Sequence, residues 1–352
     1  MEEQMHIRDL LELVPQPGFC VRGGRIHHVN QAAQALMLAA GQELDSLLHT
    51  GSEEYRQFEE GQLHLTLQLG DSIRSASVIR MDDTDLFLLD PDSEPEEFRT
   101  MELVSMELRA PLLRVISNAQ QLLDRAESEN IDAAARMNQG LAQLLRLVSN
   151  LSDAGRYREF SLMETRDICS LLEELLEKSK TLISGSGVDL SWELPREAIP
   201  CLLDAEQMER ALWNLISNAV KFLPKGGRIH AKLTRRGQRL YLSVSDNGSG
   251  IAEEIRNTVF RRYLRQPGIE DSRYGLGLGM VIVRTAAANH GGTVLIEKNG
   301  ETGTRVTMTM VIRQNPENRL QSPILRPDYS GGWDHGLVEL SDCLPAELYR
   351  EF

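Results

Sequence analysis

Apolar residues recur three and four positions apart over two long stretches of the chain. In residues 97–126 the stripe is Met101, Val104, Leu108, Leu112, Val115, Ala119 and Leu122; in residues 132–158 it is Met137, Leu141, Leu144, Val148 and Leu151. That period places each set on one face of an α-helix, and Glu127-Ser-Glu-Asn130 supplies the turn between them. Two such helices bury their stripes most fully by pairing with a second copy as a four-helix bundle, while a hairpin packed within one chain is the alternative. Elsewhere the period is two. Leu63, Leu65, Leu67 and Leu69, then Ser77-Val-Ile, then Leu86-Phe-Leu-Leu89 predict strands before the helices. Leu240-Tyr-Leu-Ser-Val-Ser and the alternating Val306, Met308 and Met310 predict strands after them.

Three later segments carry chemistry. In Asn214-Leu-Ile-Ser-Asn218-Ala-Val-Lys221-Phe222 the helical period gathers Asn214, Asn218 and Lys221 on one face, with Leu212, Leu215, Ile216, Ala219 and Val220 on the core side. Two carboxamides and an ammonium suit a metal–phosphate ligand, with amide oxygen for the cation and positive charge for the phosphate. A solvated polar helix face has the same pattern. The second segment, Asp246-Asn-Gly248-Ser-Gly250-Ile251, begins where a strand ends, so a carboxylate stands beside backbone that turns tightly. Such a carboxylate accepts a hydrogen bond from an exocyclic amine, although plain hairpins also use Asp-Asn-Gly. The third segment has glycines at 275, 277 and 279 before an apolar helical run through Met280, Ile282, Val283 and Ala286. A helix opening there offers free N–H groups and a positive dipole end to phosphate. It is neither a dinucleotide-binding nor a Walker-type loop, because no strand leads directly into it and no Gly-Lys-Ser/Thr follows.

In this order the three segments resemble the N box and the two glycine boxes of the histidine-kinase, gyrase and heat-shock-chaperone ATPase superfamily. Val259-Phe260-Arg-Arg-Tyr263 is similar to the aromatic box of histidine kinases, and Gly303-Thr304 with the strand after it to the closing strand of that domain. The resemblance covers residues 160–313. It implies that Asn218 coordinates Mg²⁺ between the phosphates of ATP, that Lys221 contacts phosphate, and that Asp246 receives the adenine amine. It implies further that Gly248, Gly250, Gly275, Gly277 and Gly279 shape the pocket and its lid, with Phe222, Ile251, Leu276, Leu278 and Thr304 lining it. Gyrase-type members carry a general-base glutamate four residues before the Mg²⁺ asparagine. Here that position is Asn214, which cannot activate water, so the kinase branch is preferred over hydrolysis.

That branch places a phosphoacceptor in the first of two helices, within Ser-His-Glu-Leu-Arg-Thr-Pro-Leu. This chain reads Ser105-Met106-Glu107-Leu108-Arg109-Ala110-Pro111-Leu112. A thioether has no exchangeable proton and cannot hold a phosphoryl group usefully. The eight histidines, His6, His27, His28, His49, His64, His230, His290 and His335, all fall outside both helices. Met106 is therefore a phosphoacceptor position without function. Glu107 matches the acidic residue that assists transfer in the family, and otherwise reads as a solvated helix residue.

Pro17-Gly-Phe-Cys-Val-Arg-Gly-Gly-Arg-Ile-His-His-Val-Asn30 and the helix after it look similar to the opening of a PAS sensor domain. His27 and His28 point to opposite faces of a strand and read as surface residues. After residue 314, Asn315-Pro, Ser322-Pro, Arg326-Pro-Asp and Ser330-Gly-Gly make an irregular connector. Leu337, Val338, Leu340, Leu344 and Leu348 follow; these are costly to leave in water, so the tail is expected to dock. The expected fold class is α+β multidomain. A PAS-like α/β sensor domain occupies 1–95, a dimerisation hairpin 96–160, an α/β-sandwich ATP-binding catalytic domain 161–313 and a tail 314–352.

Composition narrows the partners. At 352 residues there is room for two or three domains, and a net charge of −14 without a basic patch disfavours nucleic acid. Cys20, Cys169, Cys201 and Cys343 have neither metal-ligand nor disulfide spacing. No apolar run approaches the ~20 residues that span a bilayer, and no signal peptide is visible, so the chain reads as cytoplasmic. The expected partners are a second copy or a partner kinase, as homodimer or heterodimer, and a response regulator. Four activities compete: phosphorylation of a partner's histidine, a nucleotide-gated pseudokinase, a serine kinase of the anti-sigma type, and a gyrase-like ATPase disfavoured by Asn214. The anti-sigma type is disfavoured by the two helices, which those proteins lack.

Overall fold

A computed structural model describes residues 11–12, 14–81, 83–90, 95–123, 131–155, 162–251, 278–313 and 328–350. The chain opens with a hairpin of β1 (Gly18–Arg22) and β2 (Arg25–Val29), followed by a single helical turn, α1 (Gln31–Gln34). Asn30 fixes this entry. Its side-chain oxygen accepts from the Ala33 and Gly18 N–H groups, and its amide donates to the carbonyls of Leu11, Val14 and Gln16. Short β3 (Leu48–Thr50) and α2 (Ser52–Gln57) lead into three long strands, β4 (Gln62–Leu69), β5 (Ser72–Met81) and β6 (Thr84–Leu89). Alternate residues of these strands, with Phe19 stacked on Phe87 at 4.8 Å, form a core of their own.

Two long helices follow, α3 (Pro95–Leu123) and α4 (Ile131–Gly155), packed on one another. The predicted turn at 127–130 lies outside the described residues. Only part of each apolar stripe is covered within this chain. Ile116, Ala119, Leu141, Leu145 and Val148 are buried, whereas Leu103, Val104, Leu108, Val115, Met137, Leu144 and Leu147 are exposed.

The second half alternates strands and helices: β7 (Glu164–Asp167), α5 (Ile168–Ile183), β8 (Asp189–Glu193), β9 (Pro200–Leu203), α6 (Ala205–Phe222), β10 (Arg228–Arg236) and β11 (Arg239–Asp246). It closes with α7 (Gly279–Asn289), β12 (Val294–Asn299) and β13 (Gly303–Val311). Asp167 and Asp204 cap α5 and α6 by accepting from the first free N–H groups of each helix. The helices cover the sheet through Leu172, Leu176, Leu212, Trp213, Ile216 and Val283.

Both halves share one eleven-stranded sheet, ordered β2-β1-β6-β5-β4-β12-β13-β11-β10-β8, with β3 on β4. The joint is the antiparallel pairing of β4 with β12, where His64 faces Val294, Leu63 faces Leu295 and Gln62 faces Ile296. Gly61 makes this approach possible. Its φ is +97°, and a Cβ there would lie 2.2 Å from the Ile296 carbonyl oxygen, so only glycine fits. Ion pairs of Arg284 with Asp90 and Arg239 with Glu54 reinforce the joint.

The C-terminal segment folds back. Asp334 caps a short helix, α8 (His335–Glu339), and Trp333, Leu337, Val338, Leu340, Leu344 and Tyr349 enter the same core as α4, α5 and α6. Leu348, expected to dock with them, is instead 40% exposed, and Tyr349 takes the buried position, its hydroxyl donating to the Leu337 carbonyl.

Candidate functional site

Helix α6 is amphipathic in the manner its spacing predicts. Leu212, Leu215, Ile216, Ala219 and Val220 are buried, and the helix ends at Phe222 before Leu223-Pro224. On its other face Asn214 and Lys221 are also withdrawn from water, and Asn218 is half-buried. The first residues of α7 cross this face closely. A Cβ on Gly279 would stand 2.8 Å from Asn214 Oδ1, with Asn218 Nδ2 at 3.7 Å, so the missing side chain leaves room beside both amides. Leu278, which precedes α7, is buried and gives no side-chain cap to the first N–H groups of that helix.

Asp246 ends β11. Its Oδ1 accepts from the Gly248 N–H at 2.8 Å and the Thr304 N–H at 3.2 Å, which ties the turn to β13. Burial pushes its carboxyl above the usual range, and those two hydrogen bonds pull it partly back. Gly248 is buried against the Phe222 carbonyl, and Gly250 has φ +75°, the left-handed conformation such a turn requires. Ile251 packs against the core, and Phe222 is 39% exposed. Between the end of α6 and this turn lies a cleft of about 530 Å³ lined by Lys221, Phe222, Leu223, Pro224, Asn247, Gly248, Ser249 and Thr302.

Of the residues expected at the site, the structure brings together Asn214, Asn218, Lys221, Phe222, Asp246, Gly248, Gly250, Ile251, Leu278, Gly279 and Thr304. Gly275, Leu276 and Gly277, and the aromatic segment 259–263, lie outside the described residues. Met106 lies within α3, and Glu107 is exposed on it.

Several groups that periodicity did not single out converge on the same face. Arg146 of α4 reaches across with its guanidinium, donating to Asn214 Oδ1 at 3.1 Å, Ser217 Oγ at 3.3 Å, Glu339 Oε2 at 3.3 Å and Asp342 Oδ2 at 2.7 Å. Arg210 donates to Glu339 Oε1 at 2.8 Å, and Lys221 Nζ to Asp342 Oδ2 at 2.8 Å. Burial and the nearby Arg146 together push the Lys221 ammonium down, outweighing the pull of Asp342. Burial also works against the Asp342 carboxylate, but Arg146 and Lys221 outweigh it and hold it below the ordinary range. The only local sign of this cluster in the sequence is a charged Arg146 between the buried Leu145 and Val148. Among the described residues no group of three or more His, Cys, Asp and Glu forms a metal cluster.

Comparison with known proteins agrees with this geometry. Residues 203–314 match the family described as histidine kinase-, DNA gyrase B-, and HSP90-like ATPase. Hybrid signal transduction histidine kinase D of Dictyostelium discoideum is 30% identical over 237 residues, which is 62% of this chain and 15% of that protein. Sensor-like histidine kinase SenX3 of Mycobacterium tuberculosis is 30% identical over 217 residues, 59% of this chain and 52% of that protein. The chain thus spans between 15% and 52% of the length of these two relatives. Among solved structures, full-length ShkA in complex with AMPPNP superposes with a TM-score of 0.51 at 24% identity, over 63% of this chain and 47% of that one, a likeness of fold. The ATPase-family match takes in Asn214, Asn218, Lys221, Asp246 and Gly279, so residues 203–314 carry a histidine kinase-, DNA gyrase B- and HSP90-like ATPase domain, and the relatives that the chain resembles are histidine kinases.

Proposed function

We propose that this chain is an ATP- and Mg²⁺-binding signalling protein of a two-component system that does not phosphorylate itself at the usual position. The observation that carries this reading is that Lys221 and Phe222 at the end of α6 line one cleft with Gly248, whose turn Asp246 holds, while the start of α7 lies against Asn214 and Asn218 of the same helix. In this reading the Asn218 amide oxygen holds Mg²⁺, Lys221 contacts phosphate, and the Asp246 carboxylate receives the adenine amine. Gly248, Gly250, Gly275, Gly277 and Gly279 let backbone approach the nucleotide, and Asn214 stands where a hydrolytic relative would have its base. Bound MgATP supplies the phosphoryl group; the chain's own residues hold and orient it.

The division into a PAS-like sensor domain (1–95), a dimerisation hairpin (96–160), a catalytic domain (161–313) and a docking tail (314–352) belongs to the same proposal. So does pairing with a second copy or a partner kinase, supported by the exposed Leu103, Val104, Leu108, Val115, Met137, Leu144 and Leu147 of the two helices. No described helix is long and apolar enough to cross a membrane, which supports a cytoplasmic site of action. The expected target is a response regulator or the partner's histidine. A second reading, a nucleotide-gated pseudokinase that signals by conformation alone, is favoured by one observation: Lys221 is already engaged by Asp342.

Incubation with γ-labelled ATP, alone and with candidate partners, separates these readings by the stability of the label. Acid-labile label on a partner supports kinase action in trans, bound ATP with no label supports the pseudokinase, and acid-stable label points to serine. The surroundings of position 106 match the family, so Met106→His is expected to confer self-labelling. A variant that binds ATP and stays unlabelled would show that the hairpin cannot present position 106 to the nucleotide.

A further inference from the structure

Two buried cations meet at one oxygen. Asp342 Oδ2 lies 2.7 Å from Arg146 Nη1 and 2.8 Å from Lys221 Nζ. The two cationic side chains are 6% and 8% exposed, and the carboxylate between them is 27% exposed. Two like charges withdrawn from water at such a distance repel each other strongly unless an anion lies between them. The three groups come from three parts of the chain: Arg146 from the long helical hairpin, Lys221 from the helix that borders the cleft, and Asp342 from the folded-back C-terminal segment. Lys221 also lines the cleft itself.

We propose that Lys221 and Arg146 together form an anion subsite for the terminal phosphates of a nucleoside triphosphate, and that Asp342 fills it as an intramolecular competitor. The proposal rests on the assignment of the cleft to ATP. It adds Arg146 as a second phosphate ligand and the C-terminal segment as the group displaced. A carboxylate and a phosphate oxygen are both anions drawn to the same two cations, and seating them side by side in this buried space sets like charges against each other, so occupation by one disfavours the other. A tethered carboxylate competes at an effective concentration of about millimolar. A phosphate oxygen arriving in its place answers the same two cations, and the freed Asp342, next to a polyanion, is repelled.

Displacement would reach beyond the cleft. Asp342 follows α8, whose Glu339 is fully buried between Arg146 and Arg210. Arg146 also donates to Asn214, so one guanidinium links the hairpin, the catalytic helix and the tail. Removing Asp342 from the subsite therefore loosens one of the anchors that hold the C-terminal segment over α4 and α6.

Asp342→Asn in the full chain tests this, because it removes the charge while keeping the shape. Affinities for MgATP and for adenosine are measured by titration calorimetry. The expected result is about tenfold tighter MgATP binding, near the lower end of what a charge-assisted hydrogen bond contributes, with adenosine affinity unchanged. Unchanged or weaker MgATP binding in the variant overturns the competitor and leaves the ATP assignment standing. An absence of MgATP binding in both proteins overturns the ATP assignment, and the competitor with it. If the variant fails to fold, hydrogen exchange on the unaltered chain asks the same question. MgATP should raise exchange at residues 340–344 and adenosine should not; no rise with MgATP bound overturns the proposal.

Discussion

The two carboxylate oxygens of Asp246 are used differently. Oδ1 is occupied by the Gly248 and Thr304 N–H groups, and among the described residues Oδ2 accepts no hydrogen bond. The first oxygen fixes the turn, which leaves the second to take an amine. Asp246→Ala is therefore expected to weaken ATP binding by about 1.5–3 kcal/mol, the range for a hydrogen bond to a charged group. Calorimetry should also find a small loss of thermal stability, because two N–H groups lose their acceptor. Burial raises this carboxyl group, so its protonation on acidification begins at a higher pH than for an exposed aspartate, and ATP affinity should fall with it.

Among the elements, the contact between α6 and α7 has the least slack. Asn214 cannot yield to a Cβ at position 279, because its amide donates to the Arg210 carbonyl and its oxygen accepts from Arg146. Gly279→Ala should destabilise the protein by about 1–3 kcal/mol, the usual cost of overpacking, read as a lower urea midpoint with unchanged slope. The individual elements of the site were legible in the sequence because each depends on local pattern. The period of Leu212, Leu215, Ile216 and Ala219 turned the amides of α6 to one face, and alternation carried β11 to Asp246. What brings elements together was not legible. Arg146 and Asp342 are 196 residues apart, and no local spacing couples them. The pairing of β4 with β12 was equally hidden, because a strand's own pattern does not name its neighbour.

At the scale of the whole molecule, the C-terminal segment is held at its near end by His335. Its Nδ1 lies 2.9 Å from Glu209 of α6 and its Nε2 3.0 Å from Asp328, with the Tyr329 ring 4.5 Å away. The hydrogen bond to Glu209 outweighs burial, and with Asp328 it raises the imidazole to about 8. Its ordinary value is about 6.5. A group raised by docking favours the docked form fully below its undocked value and ceases to do so above its docked one. Docking should therefore weaken as pH rises from about 6.5 through about 8. Trp333, buried beneath the segment, offers fluorescence as the readout, and His335→Gln should flatten that profile.

The sheet joint bears on how this molecule tolerates being divided. Strand β12 has β13 on one side and β4 on the other, so neither of its edges is bare. A fragment that starts after the first ninety or so residues would present β12 as an open ribbon of hydrogen-bonding groups, with Leu295 uncovered. Such a ribbon recruits whatever strand is nearest, including that of another molecule. The same seam that unites the two halves thus acts as a guard against self-association, and shorter versions of this protein should be stickier than the whole.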